Sequence, residues 1–431
     1  MAIQQNPFRI AVVGGGIGGL CAALSLHYHS SKIAPGAVAI DVYEQAPEYK
    51  EIGAGLGIGI NAAKLLHRIG VGEAVNNISG HRNGVWITFR RYDTGAEILT
   101  VPVNDREAIR QSPVHRAEFL SLLVDAVKSR GAATLHVNKR CVELKEVGNA
   151  VELRFEDGTT AEANLVVGCD GIHSVIRGQF RSDNPKYSGR IAYRGLVPIR
   201  HLESWWPFQT YSASWLGPDK HFLVFPISRN TILNIVAFVT AEDDETKESW
   251  SVTGTRAEVA EAFASFEPTV RKTISFMNEN PTKWVLNDRD LLDQWVYGNG
   301  KIVLMGDAAH AMLPHQGAGA GQAIEDGYIL GRAISEYLAT TTTSNGRRDN
   351  DEELRKWTQL YQDVRLPRAQ KAQETARQAG LVYEMQTTEM QGKSYEECLP
   401  LVRESLKDRM QWIWTGDIDA EYEEKKSRAG L

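Results

Sequence analysis

The residues best suited to do chemistry in this sequence are an acidic residue on a tight turn and the glycines that follow it. Gly306 and Asp307 come directly after the apolar run 302–305, and a glycine-rich turn at 317–321 then opens a helical pattern. A short carboxylate on such a turn can accept hydrogen bonds from sugar or ribityl hydroxyls. The free N–H groups of a helix N-terminus favour an electron-rich ligand atom. This segment therefore predicts a bound nucleotide.

A second nucleotide-binding pattern lies near the N-terminus. An apolar run typical of a buried parallel strand is followed directly by Gly14, Gly16 and Gly19, with GxGxxG spacing. The first glycine permits a tight turn, the second lets a pyrophosphate approach the backbone, and the third lets a helix pack on the strand. A second strand ends in Glu44, where a carboxylate can bind ribose hydroxyls. Together these features predict dinucleotide binding rather than a merely structural turn.

Composition indicates a sizeable soluble enzyme. With 431 residues, 42% hydrophobic and 24% charged, the chain can bury a large core in two or three domains. A net charge of -6 gives no general attraction to nucleic acid. The four cysteines form no CxxC pair or Cys/His cluster, so neither a metal site nor a disulfide framework is predicted, and a reduced cytoplasmic compartment fits best. The early first strand leaves no room for a signal peptide, and no apolar run approaches the roughly 18 residues of a membrane span.

The elements that must position these residues are interleaved along the chain. Strand and helix patterns alternate over 1–80, 105–185 and 288–340, which predicts a discontinuous Rossmann-like α/β domain. The stretches 81–104 and 186–287 are rich in strand patterns and predict an inserted antiparallel β-sheet that binds the substrate.

Three further segments complete this outline. We expect the inserted sheet to cover a ligand pocket, and the insert is rich in aromatic residues: Trp205, Trp206, Phe208, Tyr211, Trp215, Phe222 and Phe225. Residues 51–59 read as a flexible glycine loop, and the polar stretch 340–351 reads as a linker. Helical patterns fill the C-terminal region 352–431, in which the charged tail 421–428 is expected to be solvated.

Three motifs, in this order, give the chain a resemblance to a known family. They are the glycine fingerprint, Asp170 and Gly171 with Ser174 and Arg177 behind them, and the acidic turn after the strand at 302–305. Over residues 7–380 the chain resembles FAD-dependent aromatic hydroxylases of the para-hydroxybenzoate hydroxylase fold, most closely the fungal salicylate-hydroxylase-type monooxygenases. The resemblance implies a Rossmann-like FAD-binding domain with an inserted sheet and C-terminal helices.

The resemblance implies FAD as cofactor and assigns its ADP half to the N-terminal fingerprint. Gly14, Gly16, Gly19 and Glu44 would hold that half of the molecule. Arg116, which opens a helix, would lie near the pyrophosphate, and a helix-surface ion pair is its alternative role.

The remaining cofactor contacts are implied by the two later motifs. Asp170 and Gly171 would bind FAD and serve the reductive step, unless they form a purely structural turn. Asp307, after Gly306, would hold the ribityl chain. The N–H groups near Gly319 and Gly321 would face the flavin N1 and C2 oxygen and stabilise the negative charge of reduced flavin.

The chain carries a single dinucleotide fingerprint, so the co-substrate, NADH or NADPH, would bind transiently rather than in a second Rossmann domain. The implied chemistry is reduction of FAD, capture of O₂ as a C4a-hydroperoxide, and oxygen transfer to an electron-rich aromatic carbon. The protein would add a dry pocket, placement of the ring, and help in making a phenol more phenolate-like.

Polar residues of the inserted sheet are the candidates for that help. Arg194 can pair with a substrate carboxylate through two hydrogen bonds, and a structural salt bridge is the alternative. His221 matches a position where relatives carry a pocket histidine, followed four residues later by a tyrosine, and it is either an acid–base group or a satisfied histidine. That tyrosine is Phe225 here, which removes one phenol donor. The resemblance also implies His315 beside the flavin ring and Pro314 in the wall over which oxygen is transferred.

The implied function is a single-component flavoprotein monooxygenase acting on a small phenolic acid with O₂. Salicylate, hydroxylated at the carboxyl-bearing carbon with loss of CO₂ to give catechol, is the leading substrate. Carboxyl-retaining hydroxylation of a hydroxybenzoate and oxidation of a phenolic polyketide intermediate share every cofactor motif and stay open. A FAD-binding protein without hydroxylase activity is the alternative from a different class. A monomer or homodimer without a membrane anchor is expected.

Overall fold

The computed structural model describes residues 7–33, 36–50, 54–81, 83–104, 107–241, 251–343, 346–347 and 350–431. The strands, in chain order, are β1 (Phe8–Val13), β2 (Val38–Tyr43), β3 (Gly55–Ile58), β4 (Val85–Arg91), β5 (Glu97–Pro102), β6 (Ser112–His115), β7 (Thr134–His136), β8 (Cys141–Val147), β9 (Ala150–Phe155), β10 (Thr160–Ala163), β11 (Leu165–Gly168), β12 (Lys186–Pro198), β13 (Ala213–Gly217), β14 (Lys220–Ile227), β15 (Ile232–Thr240), β16 (Ser251–Thr253), β17 (Thr282–Asp288), β18 (Val296–Tyr297), β19 (Ile302–Leu304), β20 (Thr342–Thr343) and β21 (Gly346–Arg347).

The α-helices are α1 (Ile17–Ile33), α2 (Ile60–Arg68), α3 (Gly72–Ile78), α4 (Arg116–Arg130), α5 (Val175–Phe180), α6 (Arg256–Ala262), α7 (Pro268–Ser275), α8 (Asp307–His310), α9 (Gly319–Thr341), α10 (Asp351–Tyr383), α11 (Tyr395–Leu406), α12 (Gln411–Thr415) and α13 (Ile418–Ala429). No helix in the described ranges is both long enough and apolar enough to cross a membrane.

The first sheet carries the nucleotide-binding motifs. Its strand order is β18-β19-β11-β1-β2-β7, and the pairs from β19 to β7 are parallel, whereas β18 pairs antiparallel to β19. Val12 and Val167 in its central strands are completely buried, as expected of a parallel sheet covered on both faces. Helices α1 and α9 approach closely because α9 has glycine where they meet: a Cβ on Gly327 would lie 2.9 Å from the Ala22 backbone. The Rossmann-like α/β prediction is confirmed.

The second sheet has the order β16-β17-β12-β15-β14-β13-β4-β5. Its strands come from two separate stretches, 85–102 and 186–288. The pairs are antiparallel as predicted, except that β4 lies parallel to β13. The exception arises because β4 belongs to the earlier stretch and reaches β13 without a hairpin.

The two faces of the second sheet have different surroundings, because successive side chains of a strand point to opposite faces. On β14, Phe222 and Val224 face a closed core, whereas His221, Leu223 and Phe225 line a cavity. Most aromatic residues of the insert pack with that core: Trp205, Trp206, Phe208, Tyr211, Trp215 and Phe222. Phe225 lines the cavity on the opposite face of the sheet.

The structure adds detail to two local expectations. The predicted glycine loop contains the strand β3, which pairs antiparallel with β6, although residues 51–53 lie outside the described part. The charged tail forms part of helix α13, in which Glu423, Glu424 and Arg428 are exposed as expected and Tyr422 is completely buried. Ile418 and Tyr422 stand four residues apart and form one apolar helix face, which is too short to stand out in a charged sequence. The expected linker 340–351 is described only in part.

Candidate active site

The three fingerprint glycines have three different surroundings. Gly14 has φ +107°, and a Cβ there would lie 2.2 Å from the Cys169 carbonyl oxygen. A Cβ on Gly19 would lie 2.0 Å from the Gly14 carbonyl oxygen. A Cβ on Gly16, in contrast, would meet nothing within 4 Å. The fold itself thus requires Gly14 and Gly19, whereas Gly16 borders open space that a ligand can enter.

Glu44 directly follows β2, at the same edge of the first sheet as the glycine turn. Its two carboxylate oxygens accept the N–H groups of Gly15 and Ala46, each at 2.8 Å. A carboxylate oxygen has more than one lone pair, so both oxygens can also accept a ribose hydroxyl. These bonds hold the carboxylate beside the glycine turn.

The turn at Gly306 is held by a buried carboxylate from α9. Asp326 accepts the Gly306 N–H at 2.9 Å and lies 2.6 Å from His310 Nε2, and Arg365 Nε donates to it at 2.8 Å. Burial opposes ionisation of Asp326, but the charges of His310 and Arg365 outweigh it and lower its pKa to about 2. Asp307, which follows Gly306, is exposed between buried neighbours and can reach a ligand.

The side chain of Asp170 caps helix α5. It accepts the Ser174 hydroxyl at 2.5 Å and the N–H of Val175 at 2.8 Å, and Gly171 follows with φ +80°. Burial raises the pKa of Asp170, an effect that these hydrogen bonds partly offset. The observed bonds are those of a structural turn, which was the alternative to a role in the reductive step.

Arg177 joins this turn to the later acidic turn. Its buried guanidinium pairs with Asp183 and donates to the carbonyls of Ala308 and Ala309 at 3.2 and 3.3 Å. The two motifs are therefore tied together by one side chain, although they are more than 130 residues apart in the chain.

These residues fit an FAD molecule. Gly16, Glu44 and Asp307 follow the carboxyl ends of β1, β2 and β19, the edge where open α/β sheets bind nucleotides. Open space at Gly16 suits the pyrophosphate, and Asp307 can accept hydroxyls of the ribityl chain. Arg116, at the start of α4, and Gly321, in the first turn of α9 after Gly319, line one side of the adjoining cavity, so the flavin ring would border that cavity.

That cavity, of about 180 Å³, lies between the second sheet, strand β3, the turn at 314–318 and the C-terminal helices. A cavity of roughly 150 Å³ accommodates benzene, so the space suits a substituted aromatic ring. Its walls are mostly apolar, with Trp86, Leu223 and Val236 among them. Phe225 and Pro314 also line it, where the sequence analysis placed them.

His221 presents one ring nitrogen to this cavity. Its Nδ1 lies 3.0 Å from Glu384 Oε1, which leaves Nε2 for a ligand. Burial lowers the pKa of His221, and Glu384 opposes that effect. His221 is thus a neutral imidazole with a carboxylate behind it.

Arg194 enters the cavity from β12. Its guanidinium lies 4.9 Å from the centre of the Trp284 ring, and its buried Nε has no hydrogen-bond partner in the described part of the chain. Burial lowers the pKa of Arg194 to about 10, and the nearby charge of Arg116 adds to the effect. No salt bridge of Arg194 occurs among the described residues, so the structural alternative for this residue has no support there.

His315 lies in the turn between α8 and α9 and faces the second sheet. Its ring packs against the backbone of Gly380, where a Cβ would come within 2.7 Å of Nε2, and stands 5.4 Å from the ring of His221. Neither ring nitrogen has a hydrogen-bond partner among the residues described. Burial holds the pKa of His315 well below its usual range, so the ring is neutral.

Sequence reasoning missed the contribution of α10. Glu384 and Tyr383 at its end contact His221, and Arg365 and Arg368 within it pair with Glu325 of α9. The helical pattern was visible, but no local signal relates Glu384 to a histidine 163 residues earlier. The described residues contain no group of three or more His, Cys, Asp or Glu side chains that could hold a metal ion.

A Rossmann-like FAD cradle that opens onto an enclosed cavity of aromatic size defines a flavoprotein monooxygenase of aromatic compounds. The chain belongs to the FAD binding domain family, whose model matches residues 8–372. It is 32% identical to a salicylate hydroxylase of Pseudomonas putida, over 98% of this chain and 95% of that protein. It is 31% identical to a 6-methylsalicylate 1-monooxygenase of Aspergillus terreus, over 96% of this chain and 91% of the relative.

A solved structure supports the same assignment. The salicylate hydroxylase substrate complex has a TM-score of 0.81 to this chain at 30% identity, covering 97% of this chain and 98% of the other. The protein is therefore an FAD-dependent aromatic monooxygenase, and NAD(P)H is the co-substrate typical of the family.

Proposed function

We propose that the enzyme hydroxylates salicylate at its carboxyl-bearing carbon and releases CO₂ and catechol. The observation that carries this proposal is the buried Arg194 in the cavity, whose Nε lacks a hydrogen-bond partner in the described chain. A guanidinium in apolar surroundings favours a carboxylate, which it binds through a pair of hydrogen bonds. The relatives named salicylate hydroxylase, which align over nearly the whole chain, support the same substrate.

Arg194 and His221 lie on the same face of the second sheet, which supports a shared ligand. Arg194 lies opposite Val236, which lies opposite Leu223, and His221 occupies the next row on the same face. The Cα atoms of Arg194 and His221 are two strands apart across the sheet and two residues apart along the strand. This separation amounts to about 12 Å. Both side chains point into the space between, so one can bind a carboxylate while the other reaches a hydroxyl of one ring.

The residues of the chain then have distinct roles. FAD, reduced by NAD(P)H, supplies the activation and transfer of oxygen. Arg194 binds the carboxylate and orients the ring, and His221 Nε2 accepts the phenol proton, which raises the electron density of the carbon to be hydroxylated. Phe225 offers no hydroxyl for this step, whereas His221 presents Nε2 to the cavity. The apolar walls and the neutral His315 exclude water from the ring.

The overall reaction is balanced. The salicylate anion, O₂, NAD(P)H and two protons give catechol, CO₂, water and NAD(P)⁺. Carbon dioxide leaves after oxygen is added to the carbon that carries the carboxylate, because the ring regains aromaticity by losing that group.

The test is turnover of the purified, FAD-loaded enzyme with salicylate and either NADH or NADPH. Catechol, CO₂ and oxygen uptake in equal amounts are expected. A dihydroxybenzoate product would favour the carboxyl-retaining alternative, and pyridine-nucleotide oxidation that yields only hydrogen peroxide would contradict the proposal. Parallel assays with 6-methylsalicylate address the second candidate, which the Aspergillus relative favours.

A further inference from the structure

A buried carboxylate lies directly behind the catalytic candidate His221. Glu384 Oε1 is 3.0 Å from His221 Nδ1, and the two side chains are 0% and 2% exposed. An ionised carboxylate can only accept, so the proton between them belongs to Nδ1. The lone pair of His221 is then on Nε2, the ring nitrogen left for the cavity.

The end of helix α10 is shaped to hold this carboxylate. Met385 has φ +57°, in the left-handed region that residues other than glycine rarely adopt. The turn directs Glu384 and Gln386 toward Arg190, whose guanidinium donates to them at 2.6 and 2.7 Å. The carbonyl of Glu384 also accepts the N–H of Asp219, at 3.1 Å, from the hairpin that precedes β14.

We propose that Glu384 is a positioning residue that fixes the Nδ1–H form of His221 and stabilises the imidazolium formed during proton transfer. The phenol O–H bond breaks, a bond forms between that proton and Nε2, and the electron pair stays on the phenolate oxygen. Glu384 accepts the Nδ1–H bond before and after the transfer, and Arg190 donates to its other carboxylate oxygen. The inference rests on the proposed function only in taking a phenol as the ligand.

Among the described residues, Glu384 is the only carboxylate in contact with the His221 ring. The titratable groups against the ring are Glu384, the neutral His315 and Tyr383, with Arg190 behind the carboxylate. Burial lowers the pKa of His221, and the side-chain hydrogen bond from Glu384 raises it again. Loss of that carboxylate thus leaves burial unopposed and makes His221 a weaker base.

The first test uses Glu384→Gln and the chromophoric ligand 5-nitrosalicylate, whose absorption reports phenolate formation without turnover. In the FAD-loaded variant the pH at which the bound ligand ionises should rise by about one to two units, because an opposite charge this close shifts a pKa by that order. Glu389→Gln, an exposed carboxylate after the same helix, is the matched control and should not change that pH. An unchanged ionisation pH in folded, FAD-loaded Glu384→Gln would overturn the proposal.

A second measurement needs no variant to fold. The ¹⁵N chemical shifts of His221 in the unaltered holoenzyme should show a protonated Nδ1 and an unprotonated Nε2. The opposite tautomer would overturn the proposal directly. Both measurements are independent of catechol formation, so failure of the salicylate assignment and failure of the Glu384 role give different results.

Discussion

The imidazole of His221 lies parallel to the phenyl ring of Phe238, with centroids 4.1 Å apart and planes 12° apart. The two residues are direct partners across β14 and β15. One face of the imidazole is thereby covered, and Glu384 occupies one edge. The ring is fixed in its plane, and Nε2 is the atom left to approach a substrate hydroxyl.

Replacement of His221 tests the assignment of the base. We expect His221→Asn to lower kcat with salicylate near pH 7 by roughly 10²- to 10⁴-fold, the usual range for removing a general base. FAD content and the melting temperature should change much less than kcat. His201→Asn, at an exposed histidine, is the control. Catechol formation at the wild-type rate in His221→Asn would rule out this base.

Replacement of Arg194 tests recognition of the carboxylate. Loss of one partner from a buried, charged hydrogen-bonded pair costs about 2–5 kcal/mol, so Arg194→Gln should raise the KM for salicylate by roughly 30-fold or more. Binding of phenol, which has no carboxylate, should be nearly unchanged. Arg200→Gln, at an exposed position, provides the control. Equal weakening for salicylate and phenol would mean that Arg194 acts on the fold rather than on the carboxylate.

Substitutions of the fingerprint glycines can distinguish effects on folding from effects on FAD binding. Gly16→Ala should leave a folded apoprotein, because its Cβ enters open space, but it should weaken FAD binding. Gly19→Ala should lower the unfolding temperature of the apoprotein itself, because its Cβ would strike the Gly14 carbonyl. Thermal unfolding of apoprotein and flavin titration distinguish the two. The interpretation fails if both variants lose stability to the same degree.

Acid should destabilise the enzyme through Asp326. Its pKa is lowered from 3.8 in the unfolded reference to about 2 in the fold. The corresponding stabilisation, on the order of 2 kcal/mol, is fully present above pH 4 and is lost as pH falls from about 4 to about 2. Urea unfolding at pH 5, 4 and 3 measures this slope.

The matching variant for this prediction is Asp326→Asn. It should be less stable at pH 5 and should show a shallower pH dependence below pH 4 than the wild type. Asp125→Asn, which alters an exposed carboxylate on α4, should retain the wild-type slope. An unaltered slope in Asp326→Asn would assign the acid sensitivity to other groups.

Local rules were sufficient to predict the glycine turn after β1 but not the arrangement of the cavity. The spacing of Gly14, Gly16 and Gly19 follows from backbone geometry within one strand, turn and helix, and each glycine has surroundings that suit this pattern. The position of Glu384 depends on how α10 docks on β14, which is a tertiary relationship without a local signature. The direction of the aromatic cluster likewise depends on strand register, because a shift of one residue exchanges the two faces.

The two faces of the second sheet have different roles. Leu223 and Val236 touch the ligand space, while their immediate neighbours Phe222, Val224 and Ala237 belong to the aromatic core behind. Mutations at the first set can therefore alter which aromatic compound is accepted while the folding core stays intact. Because the two faces are separate, single substitutions on the cavity face can change substrate preference during evolution. The core on the other face, and with it the fold, is then inherited unchanged.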